Sequence, residues 1–174
     1  MFRLTESPRL SEFEREVLPH LDAAYNLARF LMRNDQDAED VVQEASLRAF
    51  RFFENFRGEN SRAWFLKIVR NTSFTVLKKN RPDEMNVIFD EELHSKQNPA
   101  MDPGLAMECA QDRQTVRAAI EQLPPEFREI IVLRELEDAS YKEIADIAGI
   151  PIGTVMSRLA RSRRQLQMIL SKQK

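Results

Sequence analysis

The sequence predicts an all-α chain of two small helical domains joined by an acidic, flexible linker, on three observations. Glycine is scarce, four among 174 residues, and no stretch alternates apolar and polar residues as a half-buried strand does. Apolar residues recur instead at three- and four-residue spacing through most of the chain. Charge is segregated: the net charge is only −2, yet Arg57–Arg81 carries seven basic residues against one acidic, Pro82–Asp112 eight acidic against one basic, and Ile152–Lys174 six basic and no acidic. The middle block lacks helical period and holds Pro99, Pro103 and Gly104, so it reads as a linker. The expected divisions are therefore 1–81, 82–112 and 113–174.

Composition narrows the function classes. At 43% hydrophobic residues the chain can bury a core. One cysteine, Cys109, has no intramolecular disulfide partner, and with only His20 and His94 no metal-ligand spacing exists. No cofactor, metal or small-molecule substrate is expected. No apolar run is long enough to span a bilayer, so no membrane insertion and a cytoplasmic location are expected.

Residues 1–10 read as a loose arm. Ser11 and Glu14 have capping-box spacing, with Phe13, Val17 and Leu18 as the inner stripe. Pro19 marks a break. A second helix over His20–Arg33 turns Leu21, Ala24, Tyr25, Ala28, Leu31 and Met32 inward, and Asn34-Asp35 ends it. Asp37 is the expected cap of a third helix, Ala38–Asn55, whose inner face is Val41, Val42, Ala45, Ala49, Phe52 and Phe53. Asp40, Gln43 and Glu44 share a different face of that helix, near its N-terminus, where the dipole favours acid. Two readings stand for them: solvated charge, or a docking face for a basic partner surface.

Phe56–Asn60 is a loop turning at Gly58, and Ser61 is positioned to cap the helix that follows, to Asn80. Its inner stripe is Trp64, Phe65, Ile68, Val69, Thr72, Val76 and Leu77. Cations alternate with aromatics along it: Arg62, Trp64, Phe65, Lys67, Arg70, Phe74, Lys78, Lys79. That alternation suits single-stranded nucleic acid, with cations on phosphates and rings against bases. The competing reading, favoured for Trp64, is core packing.

After the linker, Gln114–Gln122 is amphipathic through Val116, Ala119, Ile120 and Leu123. Pro124-Pro125 breaks it, and Glu126–Leu136 follows with Phe127, Ile130, Ile131, Leu133 and Leu136 inward. Asp138-Ala139 turns into a helix-turn-helix over Tyr141–Leu166. Ser140 and Glu143 have capping-box spacing; Ile144, Ala145, Ile147 and Ala148 form the first helix's stripe. Gly149 supplies positive φ at the turn, and Pro151 suits the start of the second helix. Val155, Leu159, Leu166 and Ile169 or Leu170 face inward there, and the outer face is basic. A basic second helix after such a turn is what a major-groove reader needs.

Two sets of motifs resemble the extracytoplasmic-function (ECF) sigma factors of bacterial RNA polymerase. One is Asp37-Ala-Glu-Asp-Val-Val-Gln-Glu-Ala, Phe56-Arg-Gly-Glu and Trp64 with Arg70-Asn71-Thr72. The other is Leu123-Pro-Pro-Glu-Phe-Arg, Leu133-Arg-Glu-Leu, Ser140-Tyr-Lys-Glu-Ile-Ala and Gly153-Thr-Val-Met-Ser-Arg-Leu. Their order and separation extend the resemblance over about residues 11–170.

The resemblance implies a sigma domain two, a sigma domain four and no catalysis by the chain itself. Asp40, Gln43 and Glu44 match the face for the polymerase β′ clamp helices, and domain four implies contact with the β flap. Phe56, Arg57, Arg62, Lys67, Arg70 and Asn71 match the surface that opens and reads the −10 promoter element, with Phe56 and Asn71 shaping a pocket for a flipped base. The alternative there is that Phe56 packs beneath the loop and Asn71 ties loop to helix. Thr154, Ser157, Arg158, Arg161 and Arg164 match the −35 reader. Met156 stands where Arg is often found, and a thioether cannot make the bidentate contact to guanine. The linker resembles the segment that threads toward the RNA-exit channel. The partners implied are core RNA polymerase, promoter DNA and an anti-sigma factor. Two other classes compete: a free-standing helix-turn-helix regulator whose first domain dimerises, disfavoured because a dimer seam would be apolar rather than acidic, and an enzyme acting on DNA, such as a recombinase, for which no cluster of nucleophile, base and metal carboxylates stands out.

Overall fold

The computed structural model describes residues 8–85 and 110–172, with side chains from 113 onward in the second stretch. Residues 1–7 of the expected arm, the central part of the linker, His94 and Cys109 lie outside the described residues. Within them every regular element is helical.

The first unit holds α1 (Pro8–Val17), α2 (Leu21–Met32), α3 (Asp35–Phe52), α4 (Ser61–Asn80) and one helical turn, α5 (Pro82–Met85). Leu18–His20 forms a 3-10 turn at the expected proline break. α2, α3 and α4 pack as a bundle. Alanines 24, 28, 38, 45 and 49 are fully buried, and without longer side chains there the helix backbones can approach closely. Leu27, Leu31, Phe65, Leu66, Val69 and Leu77 fill the space between.

Several boundaries differ from the sequence reading. α1 begins at Pro8, not Ser11: proline suits a first turn, and the Arg9 guanidinium fixes that turn by donating to Phe50 O at 2.8 Å and pairing with Glu54 at 3.0 Å. Asn34, not Asp37, caps α3, its Oδ1 accepting the Asp37 N–H at 2.7 Å. Asn60, not Ser61, caps α4, accepting the Ala63 N–H at 2.9 Å. In each case the cap is an asparagine upstream of the residue chosen from sequence, and its backbone is non-helical, as a cap requires. Phe52 was expected inside and is 53% exposed. α3 ends there, and the 3-10 turn Phe53–Asn55 carries Phe53 inward instead.

The second unit holds α6 (Ala110–Glu121), α7 (Pro125–Ile131), α8 (Tyr141–Ala148) and α9 (Ile152–Ser171). The expected single helix over Glu126–Leu136 changes character at Val132, where a π turn runs to Leu136 and the Glu137 N–H reaches Val132 O at 3.1 Å. Asp138 at φ 50° then lets the Ala139 N–H bond Leu133 O at 2.9 Å. α8 carries the expected capping box, and Gly149 sits at φ 68° as its C-cap. Pro151 is the N-cap of α9 rather than its first residue. Val155, Leu159 and Leu166 are buried as read from sequence.

The two units pack on each other through α2 and α4 of the first and α7, α8 and the π turn of the second. α4 is therefore covered on two sides, and Leu66 and Ser73 are buried besides the expected stripe.

Candidate nucleic-acid interface

Three surfaces carry the candidate residues. On α3, Asp40, Gln43 and Glu44 are exposed along one face, and Leu47, one turn on, is 63% exposed beside them. Glu44 pairs with Arg48 at 2.7 Å within the helix. The face is acidic with an apolar end, and the second unit does not cover it.

The second surface is the loop before α4 with the start of that helix. Phe56 stacks on Phe53, centroids 6.2 Å apart, and meets Trp64 at 4.9 Å. A Cβ on Gly58 would lie 3.0 Å from Phe56 Cε2, so the ring lies against the loop backbone and a side chain there would push it out. Around it opens a hollow of about 320 Å³, lined by residues 55–60, Ala63, Trp64, Lys67 and, from α8, Asp146. Trp64 is half-buried, so one side of its ring packs on the core while part stays exposed. Asn71 does not line this hollow. It is exposed one turn beyond Lys67 on the same helix face, about 6 Å further along the axis. Phe56 and Asn71, expected on one rim, are thus not brought together.

Of the candidate cations on this surface, Arg57 and Lys67 are exposed. Arg62 and Arg70 are engaged by the second unit. Arg62 donates to the Glu137 backbone oxygen and lies 3.5 Å from its carboxylate. Arg70 makes a fork onto Glu129, 2.7 and 3.1 Å, with its guanidinium 3.9 Å from the Phe74 ring centre. Asn60 donates to Glu143 at 2.8 Å.

The third surface is the N-terminal half of α9. Ser157 and Arg164 are exposed, Thr154, Arg158 and Arg161 half-buried, and Met156 51% exposed. Arg158 pairs with Glu126 at 3.3 Å. A hollow of about 370 Å³ lies against this half of α9, lined by Thr154, Ser157, Arg158, Arg161 and Pro124–Phe127, and by Glu84 and Met85 of the first unit. Arg164 stands outside it.

Burial shapes the ionisation at the contact between the units. Glu129 is fully buried, and loss of solvent raises its carboxyl above the usual range, opposed by the hydrogen bonds and charge of Arg70. Burial pulls Arg128 down to about 10, still protonated at neutral pH. Its guanidinium donates to Phe30 O at 3.0 Å and Leu31 O at 2.9 Å, and to Leu123 O at 2.8 Å in its own unit. Glu143 is held below the usual carboxylate range by the Ser140 N–H first and the Asn60 amide second.

Sequence reasoning missed Arg128, Glu129, Glu137, Glu143 as a cross-domain ligand, and Asp146. One signal was present: Arg128-Glu129 interrupts an otherwise apolar run from Phe127 to Leu133, and charges at core positions require partners from elsewhere. Among the described residues no group of His, Cys, Asp and Glu is arranged to hold a metal ion, and no helix is long and apolar enough to cross a membrane.

Comparison with known proteins matches both units. Residues 17–82 fit the family model for sigma-70 region 2, and residues 113–166 that for sigma-70 region 4. The ECF RNA polymerase sigma-E factor of Escherichia coli K12 is 37% identical over 137 residues, 75% of this chain and 72% of that protein. The RNA polymerase sigma-H factor of Pseudomonas aeruginosa is 32% identical over 165 residues, covering 91% and 86%. The ECF sigma factor SigE of Mycolicibacterium smegmatis is 33% identical over 165 residues, and this chain spans 63% of its length. Among solved structures, the sigma factor RpoE of Bartonella quintana, crystallised with the anti-sigma factor NepR, superposes with a TM-score of 0.71 at 30% identity over 92% of this chain and 98% of that one.

Proposed function

The chain belongs to the ECF sigma factors of the sigma-70 family, and we propose from that premise how its three surfaces divide the work of initiation. A sigma factor binds core RNA polymerase and directs it to promoters. Here the acidic α3 face of Asp40, Gln43 and Glu44 docks on the basic β′ clamp helices, and the second unit engages the β flap. The loop-and-α4 surface takes the opened −10 strand, and the N-terminal half of α9 enters the major groove at −35. The chain carries no chemical step; it works in the cytoplasm, where the polymerase does.

The observation that carries the division is the sorting of charge into one acidic face and two basic ones, each with the local geometry its partner needs. At −10, the hollow beside Trp64 offers a ring to lie against and the polar groups of Asn60 and Lys67 at its edge, which suits one unstacked base. Arg57, Arg62, Lys67 and Arg70 hold flanking phosphates. Asn71, a turn further on, borders the path of the strand beyond the hollow. At −35, Ser157, Arg158 and Arg161 meet base edges and Thr154 and Arg164 the backbone, with Met156 offering apolar contact. The domain limits we propose are 1–81 for polymerase and −10, 82–112 as linker and 113–174 for −35, with the helical turn α5 and the first residues of α6 falling within the linker's bounds. The sigma factor RpoE was crystallised with an anti-sigma factor, and a partner of that kind holds this chain too.

Docking is the part most simply isolated. Reversing Asp40 and Glu44 to Lys turns attraction to a basic surface into repulsion, while exposed charges contribute little to folding. The double variant should lose competition for core polymerase against another sigma factor and keep its melting temperature. Undiminished competition would remove the assignment of this face.

A further inference from the structure

We propose that α9 reads its upstream promoter element through the C5-methyl groups of thymine, with Met156 as the residue that selects them. The inference rests on the −35 assignment above and deepens it by naming the base.

α9 has one buried side and three outward zones. Val155, Leu159, Ser162 and Leu166 are buried. At about 100° per residue, the side opposite them is Gly153, Ser157, Ala160 and Arg164, all exposed. Arg158 and Arg161 lie on one flank, half-buried along the hollow shared with the first unit. Ile152 and Met156 lie on the other flank, 47% and 51% exposed, and do not line that hollow. Two large apolar side chains thus stand in water on a helix half whose other outward groups are small, polar or cationic. From Ile152 to Lys174 there is no acidic residue. A polyanion can approach this surface, and the apolar flank decides which of its groups is met there.

In the major groove the thymine C5-methyl is the apolar group that base pairs present; the others are hydrogen-bond donors and acceptors. A thioether chain laid against guanine O6 or the cytosine amine takes water from a polar group and returns no hydrogen bond. Laid against thymine, it covers a methyl. Met156 therefore favours thymine at the position beneath it. Ile152 and Ala160, one turn to either side in the same i, i+4 row, extend the apolar strip. Successive members of the row lie about 6 Å apart along the axis, close to two base-pair steps of about 3.4 Å. Methyl sensitivity should then fall on one or two positions and not on every thymine.

Gly153 supports a close approach independently. It is helical, and a Cβ built on it would meet nothing within 4 Å. Internal packing does not ask for glycine there, and glycine within a helix is less favourable than alanine. Its open side is the outward side it shares with Ser157 and Ala160. With three small residues at the centre of that side, the helix backbone can sit close to the base edges, which brings the flanking Met156 within contact of a methyl.

The test uses holoenzyme formed from core polymerase and the full chain. It first selects duplexes from a library randomised over the upstream element. In a selected duplex each thymine is then replaced singly by deoxyuridine, which lacks only the methyl, and binding is measured by competition. The parent should lose about fourfold at one or two thymines, the worth of one buried methyl group each, and nothing at the others. At the position it covers, Met156→Ala should bind the thymine and deoxyuridine duplexes equally, Met156→Leu should keep the difference, and Met156→Arg should move the preference to guanine. Comparing each variant on both duplexes cancels whatever deoxyuridine does to the duplex itself. Gly153→Ala should melt at a higher temperature and yet bind every upstream sequence more weakly. A deoxyuridine loss of equal size for parent and Met156→Ala, or no loss at any position, overturns the proposal and points to a protein partner for this flank instead. A library from which holoenzyme returns no upstream preference refutes the −35 assignment itself, so the two failures are distinct.

Discussion

Replacing Arg128 by Met removes the most heavily bonded side chain between the two domains while filling much of its volume. Arg128 is 2% exposed. Its guanidinium serves three carbonyls, Phe30, Leu31 and Leu123, at 2.8 to 3.2 Å. A buried carbonyl left without a donor costs about 1–3 kcal/mol. Loss of a positive charge at the negative end of α2 adds up to about 2 kcal/mol in partly buried geometry. Water entering the gap recovers part of this, and the terms are not additive. The net loss expected is about 3–5 kcal/mol, comparable to breaking a buried ion pair. At about 2–4 °C per kcal/mol for a chain of this size, the melting temperature should fall by roughly 6–20 °C. Lysine at 128 keeps the charge but not the planar fork, so it should fall between. Urea titration followed by circular dichroism measures the loss, with coincidence of far- and near-ultraviolet signals as the check that one transition is being read. A loss under about 1 kcal/mol, or equal losses for Met and Lys, would mean that the α2 end is satisfied without this side chain.

Two other outcomes follow from local geometry. Gly149→Ala meets no steric neighbour but places a Cβ at φ 68°, which should cost about 1–2 kcal/mol in thermal or urea unfolding; a neutral result would mean that the turn relaxes to another conformation. His20 has its pKa lowered below 6.5, first by burial and then by the Arg62 charge, with Glu16 opposing. The folded chain therefore binds fewer protons than the unfolded one between the folded value and 6.5, so stability should fall as pH drops through that window and level off below it. His20→Gln should flatten the slope in that interval, as read by melting temperature against pH.

Much of the architecture was legible because the chain states it locally. The capping box at Ser140 and Glu143, the positive-φ Gly149 and the stripe through Val155, Leu159 and Leu166 each depend on residues within a few turns of one another. So do the proline break at 19 and the exposure of Asp40, Gln43 and Glu44. The misreadings have a common cause. Sequence alone does not single out Asn34 and Asn60 as caps, because nearby Asp37 and Ser61 are equally suitable chemically, and only backbone geometry decides between them. α4 was given one inner stripe because a helix covered on two sides blurs its own period; Leu66 and Ser73 face a neighbour that sequence spacing does not announce. The π turn at Val132–Leu136 leaves no periodic trace in a run that short. The cross-domain carboxylates were illegible for a different reason: Glu137 and Glu143 look like ordinary surface acids until Arg62 and Asn60, more than 70 residues earlier in sequence, are brought to them. The pairing of Phe56 with Asn71 rests on resemblance, and the helix rise from Lys67 carries Asn71 beyond the hollow that Phe56 lines.

The central claim, that this chain carries polymerase to promoters by reading two separate elements, is tested most directly by reconstituted initiation. Core RNA polymerase is mixed with the chain and a fragmented bacterial genome, and the 5′ ends of the transcripts are sequenced. The expected result is a discrete set of start sites preceded by two short shared elements near −10 and −35, with base changes in the upstream element ranked differently by an Arg158→Ala variant. Start sites no more ordered than those of core polymerase alone would contradict the account, as would a chain that binds duplex promoters equally tightly with or without polymerase.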